Sequence, residues 1–232
     1  TTASNNTAVG YQAMYLNTTG VVNAAFGRET LASNTSGSFN TAFGTNALFG
    51  NTTASNNTAV GYQAGYSITG SQYNTAIGRG ALYSHTTGNG GNVAVGYDAN
   101  RSLTTGYNNV SVGSNAAYST TTGLYNVALG DNALRSNTTA SNNTAVGYQA
   151  AYSSTSGAVT AVGYRALYSN TAATANGAFG FNALQANTTG IRNEAYGTEG
   201  LENNTTGSYN TSVGSQALRS NTTASNNTAV GY

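Results

Sequence analysis

Few residues in this chain could carry covalent chemistry. It has one histidine, His85, no cysteine, and six carboxylates: Glu29, Asp98, Asp131, Glu194, Glu199 and Glu202. A Ser-His-Asp relay or a metal cluster needs several positioned partners. His85 lies in a turn segment with no carboxylate near it in sequence, and reads as a solvated turn residue. Only Glu194, Glu199 and Glu202 cluster, and a glycosidase needs two carboxylates held across a sugar. The glycine-rich turns lack the lysine and following helix of a phosphate loop. These residues predict no enzyme, no catalytic or metal site and no cofactor.

Tyrosine is the exception. The chain has 17 tyrosines and no tryptophan. Several recur as pairs four residues apart: Tyr11 and Tyr15, Tyr62 and Tyr66, Tyr148 and Tyr152, Tyr164 and Tyr168. Exposed aromatic rows of this kind can stack on sugar rings or pack against partner chains. Asn-x-Thr sequons such as Asn17-Thr18-Thr19, Asn51-Thr52-Thr53, Asn187-Thr188-Thr189 and Asn204-Thr205-Thr206 also recur. In so Asn- and Thr-rich a chain they arise freely.

What must position these residues is a repeat. Gly10, Gly27, Gly44, Gly61, Gly78, Gly96, Gly113, Gly130, Gly147, Gly163, Gly180, Gly197, Gly214 and Gly231 are 17 residues apart in eleven of thirteen intervals; the exceptions are 18 and 16. A fixed short period means one coil copied many times. With the coil begun at Asn6, so that the first lap is residues 6–22, position one is Asn in thirteen of fourteen laps, Val159 excepted. Position three is always Ala or Ser, position four a larger hydrophobe, position five the glycine, and position nine mostly Leu. Eleven of thirteen charges fall at positions six, seven or ten. Charge is rarely buried unpaired, so those positions are expected to face water, and four and nine a core.

Stacked laps predict an all-β, parallel β-solenoid of about thirteen 17-residue coils, with two short strands per lap and an Asn ladder at position one. Both length changes, near Gly88–Gly91 and near Gly157–Val159, fall in the second turn, where a loop absorbs them. The strict Ala/Ser column suggests a tightly packed contact, which we expect to lie between chains. The whole of residues 1–232 reads as one repetitive fibre segment. TTASNNTAVGY stands at both ends, and we expect an excerpt of a longer chain.

The motif NTAVGYQA, at Asn6–Ala13, Asn57–Ala64 and Asn143–Ala150, resembles the N-S-V-A-I-G-x-x-[SA] repeats of trimeric autotransporter adhesin heads. It is also similar to the NTAVGYxAL repeats of phage tail-fibre and other virion appendage proteins. The resemblance covers the whole chain. It implies a left-handed β-roll packed as a homotrimer, at an extracellular or virion surface.

With 6% charged residues, no lysine and a net charge of +1, nothing marks a nucleic-acid partner. No apolar run is long enough to span a bilayer. The leading expectation is a structural shaft presenting a receptor-binding tip elsewhere. The alternatives are a carbohydrate-binding adhesin acting on host glycans through its Tyr columns, and an ice-binding solenoid suggested by Thr18-Thr19, Thr52-Thr53 and Thr138-Thr139.

Overall fold

The computed structural model describes residues 2–232. The chain winds as a parallel β-solenoid of about thirteen laps. Fourteen three-residue strands, from β1 (Thr7–Val9) to β14 (Thr228–Val230), form a single sheet in sequence order. Every pairing is parallel and in register: Thr58 lies on Thr75, Ala59 on Ala76 and Val60 on Ile77. Register survives both irregular laps, with Thr75 on Val93 and Thr144 on Thr160.

Each lap has one strand, not the expected two. The Ala-Leu-Tyr segment has strand-forming residues, yet it is a chain of turns. Its positions seven and nine are left-handed, as in Asn46 (φ 60°) and Leu48 (φ 49°). A β-branched side chain is strained there, which accounts for Leu rather than Val or Ile at position nine. The ladder continues through these turns: Met14 N–H donates to the Thr30 carbonyl at 2.9 Å, and Glu29 N–H to the Tyr11 carbonyl at 2.8 Å. At position five the φ of Gly61 is +134° and that of Gly130 +136°, a region open only to glycine.

The inward and outward sides of the strand are the reverse of the expectation. Position three is buried from Ala25 to Ser212, facing the inside of the chain's own coil. Position four faces out: Phe43 is 41% exposed, Val60 39% and Leu129 44%. Strand alternation fixes only that neighbours point oppositely. Choosing the larger residue for the interior gave the wrong parity, because the lap is too narrow for Val beside the Leu column. Leu31, Leu48, Leu82, Leu134, Leu167, Leu184 and Leu201 fill that core as expected, each removed from water at about 1.5–3 kcal/mol. The Ala/Ser column is therefore packed within one chain, and offers no contact between chains.

Two Asn ladders flank the leucines. At position one, Asn40 donates its backbone N–H at 2.9 Å and its Nδ2 at 3.1 Å to Asn23 Oδ1, while Asn23 Nδ2 donates to the Gly37 carbonyl at 2.8 Å. A second ladder at position twelve was not anticipated. Asn34 Nδ2 reaches Asn17 Oδ1 at 2.8 Å and the same Gly37 carbonyl at 3.0 Å. A carbonyl that receives two amides this closely needs a small residue, Gly or Ala, at position fifteen. The sequon residues Asn51, Asn187 and Asn204 are members of this ladder and fully buried.

His85 occupies position twelve too, so it is a core residue rather than a solvated one. Its Nε2 lies 2.8 Å from Ser71 Oγ. Burial pushes its pKa down to about 4, opposed by the Thr104 carbonyl.

Candidate functional site

The eight tyrosines read as contact residues do not gather at one place. They form short rows along two edges of the turn segment. Tyr11 (66% exposed), Tyr15 (68%) and Tyr62 stand free of other rings. The rest stack along the axis. Tyr66 sits between Phe49 and Tyr83, centroids 5.2 and 5.0 Å away and rings within 7° of parallel. Tyr164 sits between Tyr148 and Phe181 at 5.3 and 5.0 Å, and Tyr152 lies on Tyr168 at 5.1 Å. Arginines cover further faces: Arg101 is 4.7 Å from the Tyr83 centroid and Arg165 5.0 Å from that of Tyr168. A sugar ring stacks on an open aromatic face. These rows present mainly edges, their faces being spent on one another.

The threonines named for an ice-binding plane are in turns, not strands. Thr18 Oγ1 donates to the Thr35 carbonyl at 3.0 Å and Thr52 Oγ1 to that of Thr69 at 3.1 Å. The hydroxyls of Thr18 and Thr52 are thus engaged by the next lap. The strand's own outward threonines, at position two, are interrupted by Ala24, Val93, Val110, Val127, Gly177 and Glu194.

One place departs from the repeat in several ways at once. It lies on the outer strand face, across β10 (Thr160–Val162), β11 (Gly177–Phe179) and β12 (Glu194–Tyr196). The 16-residue lap ends here, Val159 interrupts the position-one Asn column, and Gly177 removes a side chain from position two. The result is a depression of about 310 Å³ lined by Ala158, Thr160, Ala175, Gly177, Phe179, Glu194 and Tyr196, with buried Asn176 at its floor. The Glu194 carboxylate folds back over Gly177, where a Cβ would overlap Oε2. Partial burial raises its pKa, and the Tyr196 hydroxyl, 3.4 Å from Oε2, counters this. The same carboxylate raises the phenol pKa of Tyr196.

Glu194 has no cation within ion-pair distance among the described residues, whereas Glu29, Asp98, Glu199 and Glu202 each have at least one. Arg192, two residues earlier, is laid over the Tyr209 ring at 5.6 Å. The sequence carried a signal for this site that counting alone passed over. Arg192 and Glu194, at positions seventeen and two, are the two charges outside the regular positions, and they sit one lap from Gly177.

No protein-family model, curated protein or solved structure matches this chain.

Proposed function

We propose that the chain is the shaft of an extracellular or virion fibre, built from copies lying side by side through their outer strand faces. The observation that carries this reading is the outward hydrophobe in every lap. Position four runs without interruption from Val9 to Val230. At about 4.8 Å per lap it makes an apolar stripe about 60 Å long, beyond what a monomer ordinarily leaves open to water. Three copies, as in the adhesin heads the motif resembles, would bury three such stripes around one axis. Receptor recognition then belongs to a tip outside this segment. The weak contacts offered by the free rings of Tyr11, Tyr15 and Tyr62 would add only avidity.

The test is sedimentation of the chain and of a variant carrying Phe43→Asp, Val60→Asp and Ile77→Asp together. The expected result is a defined oligomer for the parent and a folded monomer for the variant. A parent that sediments as a well-folded monomer sinks the bundled-shaft reading. Selective binding of the isolated segment to a glycan panel, abolished by Tyr→Ala at Tyr62, Tyr66, Tyr148 and Tyr152, would favour the adhesin instead.

A further inference from the structure

We infer that the depression over Gly177 is a binding site for a small alkylammonium ion, with the Glu194 carboxylate as its counter-ion and the edges of Phe179 and Tyr196 flanking its alkyl part. This does not rest on the shaft reading: Phe179 and Tyr196 belong to the outer strand face that the shaft would cover, so the site is that of a chain whose face is free at this lap.

Three features of the site lead there. First, its only charge is a carboxylate that is partly withdrawn from water and has no cationic partner. Desolvating an ion without a partner is unfavourable, and a bound cation restores the missing interaction. The Tyr196 hydroxyl is 3.4 Å from it, Thr160 lines the same depression, and the Asn176 side chain is turned into the coil, its Oδ1 accepting the Asn193 N–H at 2.8 Å. Asn176 Nδ2 is already committed to the Gly190 carbonyl at 2.8 Å. Arg192 points away to Tyr209, so no internal charge competes.

Second, the aromatic walls argue against a neutral sugar. Phe179 and Tyr196 are stacked on each other, centroids 5.0 Å apart and rings 6° from parallel. The faces that a pyranose would use are turned along the ladder, and edges alone line the depression. Edges and the methyl groups of Ala158 and Ala175 suit an alkyl chain.

Third, the ligand set excludes a hard divalent metal as the natural occupant. Such ions take six or more oxygens, and here a single carboxylate serves. A monovalent organic cation needs only one. The volume of about 310 Å³ suits a group of several heavy atoms, small beside a drug-sized pocket.

The experiment is a titration of the intact chain, and of its Phe43→Asp, Val60→Asp, Ile77→Asp variant in which no second copy covers the face, with n-butylammonium by calorimetry and ligand-observed NMR. n-Butanol serves as the uncharged isostere and methyl glucoside as the sugar control. The expected result is saturable binding of n-butylammonium, about tenfold or more tighter than n-butanol, a difference of about 1.4 kcal/mol or more. Glu194→Gln, which keeps the shape and removes the charge, should abolish that preference. Glu194→Thr gives position two the residue it has in eight of fourteen laps and should do the same, so a folding fault in one variant leaves the other. Binding should weaken on acidification from a higher pH than for an ordinary carboxylate, as Glu194 takes up its proton. No saturable binding overturns the inference, as does equal binding of the alcohol, binding unchanged in both variants, or preference for the glucoside.

Discussion

The two laps of irregular length have solved opposite problems. The 18-residue lap, Asn74–Gly91, must hide an extra residue. It does so with Gly88, Gly90 and Gly91, all at positive φ, and closes the bulge with Gly91 N–H donating to the Gln72 carbonyl at 3.2 Å. The 16-residue lap, Asn143–Ala158, has one residue too few. Its turn is drawn tight, and the sheet beyond it opens into the depression beside Glu194. The insertion thus demands glycine in its backbone and leaves the surface whole, whereas the deletion keeps the turn of the other laps, with Ala158 at φ 59° as Tyr73 is at φ 60°, and leaves a hollow. A repeat array can absorb either error provided that strand register is untouched.

The largest expected effect tests that contrast at the backbone. A Cβ on Gly90 would overlap the Gln72 carbonyl oxygen in a left-handed conformation (φ +71°). Gly90→Ala should cost about 3 kcal/mol of stability. At Gly157 the Cβ would lie 2.8 Å from the Ser141 carbonyl oxygen, with no positive φ to hold, and Gly157→Ala should cost only about 1 kcal/mol. Chemical denaturation of both variants reads the difference; equal costs would break the contrast.

Next comes the pH response of the long lap, which the short lap lacks. The folded-state pKa of His85, about 4, lies below the usual 6.5. The unfolded chain therefore binds the proton first, and stability falls as pH drops from 6.5 towards 4. The loss is about 3 kcal/mol once pH is below both values. His85→Leu, matching Leu103 in the following lap, should remove this component from a stability–pH profile. A slope that persists in the variant would assign it to the carboxylates.

A comparable effect is expected in the polar ladder. Asn126→Val would leave the Asn143 N–H, now 3.0 Å from Asn126 Oδ1, without its acceptor, at about 1–3 kcal/mol. Val159→Asn, in the lap where that loss already exists, should change stability by less than about 1 kcal/mol. Paired unfolding curves should therefore be asymmetric, and equal shifts would mean that the ladder carries little energy. Asn100 offers the converse. It stands in the leucine column with neither amide atom hydrogen-bonded. Asn100→Leu should stabilise by about 1 kcal/mol, unless the neighbouring laps cannot accept the volume.

The period, the strand at positions two to four, its register and the place of the length changes were legible in the sequence, because each is a statement about spacing; the second strand expected in the Ala-Leu-Tyr segment is a run of turns instead. Which strand face turns inward was not. Ala59 and Val60 are both plausible core residues, and the choice depends on the lap's width, a property of the closed coil. The position-twelve ladder was hidden because its column reads Asn, Ile68, His85, Leu103, Thr120, Asn in succession. Those residues share burial rather than chemistry. His85 was misplaced for the same reason. The candidate site was the least legible, for it is made by what the repeat lacks: a missing residue, a missing amide and a missing side chain, brought together by stacking.

The hydrogen bonds that join laps run along the rod, so a pull between the two ends loads lap junctions in series rather than together. A rod of this kind should yield one lap at a time. Each lap set free would lengthen the tether by about 55 Å, the reach of 17 extended residues less the height of the lap. A single molecule stretched by its ends should thus give a sawtooth of nearly even teeth. The junction at Val159, where the position-one ladder is interrupted, should be the tooth of lowest force.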